Sequence, residues 1–140
     1  MSTQMILLPL FVQVMLTFVI WAAMALMRGR DLKAGIARQD NIALREPNWS
    51  KGTLQFGYSF ANQLEMPVLF YVLTILEYVT HLAGVTFVVL AWIFVIFRIA
   101  HAYVHVTSNN VRVRGPLYGV GALALIIMWV IYIVEVLTLR

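Results

Sequence analysis

Four long apolar runs, separated by shorter polar segments, dominate the chain. They cover about Met5 to Met27, Phe56 to Val79, Val85 to Val106 and Leu117 to Leu139. Each is close to the roughly 20 residues that a helix needs to cross a bilayer. None alternates with period 2, and lipid tolerates only helices or closed barrels. The pattern therefore predicts an all-α integral membrane protein, a bundle of four transmembrane helices in one domain spanning residues 1–140. The runs are not uniformly apolar. The second holds "NQLEMP" with Glu65 and, further on, Glu77; the third holds Arg98, His101 and His105; the fourth holds Glu135 near its end.

Composition strengthens this reading. The chain is 62% hydrophobic and 11% charged, with a mean hydropathy of +0.87. A soluble domain has about 45–50% apolar and about 25% charged residues. The net charge of +4 is carried in loops and is no nucleic-acid footprint. Zero cysteines exclude disulfides, protein thiolate nucleophiles and cysteine metal sites. The first run has no basic segment before it and is too long for a signal peptide, so it is expected to stay as a span. Arg28, Arg30, Lys33, Arg38, Arg45 and Lys51 lie between runs one and two, and Arg112 and Arg114 between runs three and four. The "THLAG" connection between runs two and three has no Lys or Arg. By the positive-inside rule the basic loops face the cytoplasm and both termini face out, as in a bacterial inner membrane.

Local signals add detail. The long first loop is a solvated, lipid-facing connector with a short interfacial helix around Leu32 to Leu44. Pro67 predicts a kink just past Glu65. "GPLYG", Gly115 to Gly119, predicts close helix packing, with Pro116 in the first turn of span four. Glu77, His81 and Glu135 lie near the outer surface, where snorkelling would suffice.

Ionised groups in the hydrocarbon are expensive and usually face the bundle interior. At 1.5 Å per residue, Glu65 and Arg98 each lie roughly 13 Å from the cytoplasmic end of their helices, and Asn62 and His101 roughly 9 Å. Depth thus predicts a Glu65–Arg98 pair with Asn62 and His101 beside it. Phase agrees: Asn62 and Glu65 are i,i+3, with Tyr58 one turn earlier, and Arg98, His101 and His105 form one stripe. Arg112, Arg114 and Tyr118 flank the mouth of this cleft. A cleft of this kind suits an anionic ligand from the cytosol; a structural staple between Glu65 and Arg98 is the competing reading. The His101–His105 spacing with Glu65 could in principle form a metal site, but Arg98 on the same stripe repels a cation, and no metal is expected.

"FANQLEMPVLFY" and "FRIAHAYVH…RVRGPLY", with four short spans, resemble the MAPEG family, the membrane-associated proteins in eicosanoid and glutathione metabolism, and its bacterial branch in particular. The resemblance covers essentially the whole chain. It implies a homotrimer of four-helix subunits, with glutathione bound between neighbours toward the cytoplasmic face. It further implies that Asn62, Glu65, Arg98, His101, His105 and Tyr118 lie at the glutathione site. Arg114, or Arg112 as the alternative at variable loop spacing, would stabilise the thiolate. The sequence departs from the glutathione-using pattern at Tyr58, where an arginine is common, and at His105, where a tyrosine is common.

The functional expectation is glutathione-dependent transferase or peroxidase chemistry on a lipophilic electrophile delivered by the bilayer. The alternative is a non-catalytic membrane protein that binds lipid or another anion, with Glu65–Arg98 as a structural pair.

Overall fold

The computed structural model describes residues 1–138. Leu139, the end of the fourth predicted span, and Arg140 lie outside the described residues. Among the described residues there are five long helices and no strand: α1 (Thr3–Lys33), α2 (Lys51–Gln63), α3 (Met66–Thr80), α4 (Val85–Val106) and α5 (Val111–Thr138). Helices α2 and α3 together form one span, so the chain has four segments long and apolar enough to cross a membrane.

Helix α1 outlasts its apolar run by six residues. It starts at the Ser2 cap, whose hydroxyl accepts from the Met5 amide, and nothing stops it before Gly35, which turns at φ +73°. Its 31 residues reach about 46 Å at 1.5 Å per residue, well beyond a hydrocarbon core of about 30 Å. The charged turns Arg28–Lys33 therefore stand clear of the core. Asp31 is buried there and accepts a 2.8 Å bond from the Ser50 amide, which ties the end of α1 to the start of α2. The interfacial helix expected around Leu32 to Leu44 does not form. A turn and one short 3-10 helix, Gln39–Asn41, take its place. Asn41 and Asn48 bond back to the loop backbone instead, as side-chain amides in turns commonly do.

The second span breaks at Leu64–Glu65 rather than kinking beyond Glu65. Pro67 has no amide to give the Gln63 carbonyl, and its ring crowds that carbonyl. The chain yields just before it, with Glu65 at φ −96°, ψ −108° as the first residue outside α3. Helix α5 begins earlier than expected, at Val111, with the Asn110 carbonyl taking the Val113 and Arg114 amides. Pro116 consequently lies inside the helix.

Helix α4 is the hub. It packs on α5, α1 and α2, whereas α5 meets α4 and α3. The expected close approach at Gly115 and Gly119 is not made within the subunit: a methyl group at either would meet nothing within 4 Å. Gly121 makes it instead, since a methyl there would lie 3.8 Å from the Phe94 carbonyl and 3.7 Å from Phe97. The interior has two characters. Toward the end that carries Met1 and the α3–α4 turn it is apolar, with Phe70, Leu73, Phe87, Ala91, Phe94, Leu125 and Met128 packed together. Toward the basic loops it is polar, with Gln13, Ser59, Gln63, Arg98, His101 and His105 all buried. Along the spans many Leu, Ile, Val and Phe side chains face outward, as contact with lipid favours.

Candidate functional site

The polar half of the bundle is built by helix ends. A continuous helix would give the Asn62 carbonyl to the Met66 amide. The break frees it, and Arg98 Nη2 donates to it at 2.8 Å. A cation is thereby set on the negative end of the α2 dipole. The gesture is returned: Gln55 Nε2 on α2 donates to the His105 and Thr107 carbonyls at the end of α4, each at 3.4 Å. Helices α2 and α4 thus cap one another.

Around Arg98 the side chains are aromatic and basic. Its guanidinium lies 5.5 Å from the centre of the Tyr118 ring, within cation–π range. His101 packs against both Tyr118 and His105, at 5.4 and 5.7 Å between ring centres. His101 Nδ1 donates to the Arg114 carbonyl at 3.0 Å; a carbonyl can only accept, so this nitrogen carries the proton. The Arg114 side chain turns to the Asn109 amide oxygen. Asn109 itself sits in the left-handed region at φ 50°.

The predicted Glu65–Arg98 pair is not made. Among the described residues the ion pair present is Arg38–Asp40 on the surface. Depth matching identified the right helices but the wrong partner. The break before Pro67 lifts Glu65 out of helical phase and leaves it exposed, while a backbone carbonyl takes the arginine. Asn62 stays inside α2 and does not bond His101; its side-chain amide donates back to the Tyr58 carbonyl at 3.3 Å.

The expected site residues therefore divide. Arg98, His101 and His105 are inside the bundle, between 1% and 4% exposed. Asn62, Arg114 and Tyr118 are half-buried, and Glu65 and Arg112 are exposed. The structure brings Arg98, His101, His105, Tyr118 and the Arg114 backbone together, whereas the side chains of Glu65 and Arg112 make no hydrogen bond or ion pair with them.

Sequence reasoning missed two features. Gln13 on α1 donates to Gln63 on α2 at 2.9 Å, both wholly buried; an amide in an otherwise charge-free run was the available signal. The other is a cavity of about 440 Å³ between α1, the first loop and α2, lined by Arg28, Arg45, Glu46, Trp49 and Tyr58 among others. Arg28 stacks 5.2 Å from the Trp49 ring centre. Nothing in the linear pattern separates these arginines from topology-setting loop charge.

Four spans, a mostly polar interior at one end and arginines on that end define a multi-pass integral membrane protein with a cationic site beside its basic loops. The chain belongs to the MAPEG family, whose model matches residues 6–134 of the 140. Searches of curated proteins and of solved structures returned no match.

Proposed function

We propose that the protein is a membrane-bound glutathione transferase or peroxidase acting on lipophilic electrophiles, and that it works as a homotrimer in the inner membrane. One observation carries the reading. At Tyr58, where the expected arginine is missing, the fold supplies two cations from elsewhere: Arg28 from α1 and Arg45 from the loop line the same cavity. Membership of a family of glutathione and eicosanoid metabolism supports this substrate class. In this reading Arg28 and Arg45 take the glutathione carboxylates, charge-assisted and stronger than neutral bonds. Exposed Glu65 accepts from its ammonium group, and Asn62 orients the tripeptide. Arg114 of a neighbouring subunit, or Arg112 beside it, favours the thiolate by its positive charge. Arg98, His101, His105 and Tyr118 hold the helix ends behind this surface. The thiolate attacks the electrophilic carbon and its leaving group departs. With a hydroperoxide, two glutathione molecules become the disulfide while the peroxide is reduced to alcohol and water.

Calorimetry of glutathione on the purified, detergent-solubilised protein tests this. Saturable binding is expected, weakened at least roughly tenfold by Arg28→Ala, a loss of about 1.4 kcal/mol. Arg114→Ala should lower kcat for conjugation while the protein stays folded. Absence of saturable glutathione binding would sink the proposal. It would favour a second reading, a non-catalytic protein that binds lipid or another anion. That reading draws on Arg98, whose bond to the Asn62 carbonyl already gives it a structural task.

A further inference from the structure

A second cavity lies at the opposite end of the bundle, where α3 ends, α4 begins and α5 ends. It encloses about 180 Å³, and both Glu77 and Glu135 line it. The expectation that Glu77 snorkels to the surface is wrong. It is only 2% exposed, because α3 continues past it to Thr80 and its side chain packs inward on the bundle. Its Oε2 has no hydrogen-bond partner. A buried, unpaired carboxylate is among the costliest groups a protein can hold, and a second carboxylate on the same cavity raises that cost by repulsion.

We propose that this cavity is a binding site for a small organic ammonium ion with an apolar body. The two carboxylates supply the negative charge, and among the described residues no basic side chain lines the cavity. The nearest basic group along the chain, His81, lines a different one with Met1 and Tyr78. A metal ion fits poorly. Among the described residues no cluster of three His, Cys, Asp or Glu side chains could hold one, and hard cations take six or more oxygens. A primary ammonium has three donors, and the lining offers Glu77, Glu135 and the Thr86 hydroxyl. Phe87, Leu90 and Met128 provide the apolar wall, with Phe87 able to face the cation. The volume suits an amine of about six carbons, since one water occupies about 30 Å³ of liquid. By the charge of the loops this end faces away from the cytoplasm, so the ligand would enter from outside or from the outer leaflet. The site is separate from the glutathione cavity, and either can fail without the other.

The test uses the whole protein in nanodiscs and hexylammonium as probe, with hexanol and hexanoate as neutral and anionic counterparts. Saturable hexylammonium binding is expected, at least roughly tenfold tighter than either counterpart, which is about 1.4 kcal/mol. Glu135→Gln should weaken it by a similar factor without altering glutathione binding or the helical content. Glu77→Gln should do the same. Two results overturn the proposal. One is hexylammonium binding no tighter than hexanol. The other is a Glu77→Gln protein that gains thermal stability and binds the amine as before, which would mean that Glu77 merely holds a proton.

Discussion

Arg98 shows how far the meaning of one residue depends on its acceptor. An arginine in a membrane span invites a carboxylate partner, and Glu65 stands at the matching depth. The guanidinium instead meets the Asn62 carbonyl and the Tyr118 ring. The two arrangements predict different mutants. Arg98→Met keeps the volume but leaves the α2 end uncapped. It should destabilise the protein by about 2 kcal/mol, as loss of a charged hydrogen bond does. Glu65→Gln touches an exposed, unpaired side chain and should stay within about 0.5 kcal/mol. Thermal melts of both variants in detergent check this; equal losses would restore the ion pair. Asp31 is the complementary case. Its neighbours in sequence mark it as one more loop charge, yet it is buried and bonded to Ser50.

At the scale of elements, the break between α2 and α3 organises the polar half. Pro67 causes it, the freed carbonyl recruits Arg98, and Gln13–Gln63 pins the adjoining turn to α1. Pro67→Ala would return a donor to the Gln63 carbonyl, and the two helices should fuse. Hydrogen exchange at the Leu64, Glu65 and Met66 amides would then slow, roughly tenfold if local opening governs it. Affinity for glutathione, if the proposed function holds, should fall along with it, because Glu65 would rotate back into helical phase and away from the surface. Unchanged exchange would mean that packing, and not the proline, sets the break. The position of the proline was plain in the sequence. Which carbonyl it would free, and what would take that carbonyl, required the neighbouring helix.

For the whole molecule, orientation is the outstanding physical question, and the cysteine-free chain makes it easy to ask. Leu44 is 87% exposed in the first loop, and Gly84, also exposed, has room for a side chain. In intact cells a membrane-impermeant maleimide should label Gly84→Cys and spare Leu44→Cys, with both labelled after lysis. The reverse pattern would place the basic loops outside and would overturn the positive-inside assignment. It would also move the cavity lined by Arg28 and Arg45, the proposed glutathione site, out of reach of the cytosol.

Span number and helical class were legible in the chain because each is a one-dimensional property, and the expected direction rests on another, the loop charge. Hydrocarbon thickness sets the length of a run, backbone satisfaction makes it a helix, and loop charge sets its direction. Even the neighbour relation of the second and third spans could be reached by counting residues from the cytoplasmic end. Partners could not. Whether Arg98 meets Glu65 or Asn62 turns on a local loss of helical phase, and phase errors of a single residue rotate a side chain by about 100°. Burial of Glu77, the Arg28–Arg45 cavity and the packing of Gly121 rather than Gly115 likewise depend on which faces of separate helices meet. That choice is made by packing in three dimensions, where apolar runs of near-identical composition look alike in sequence but not in shape.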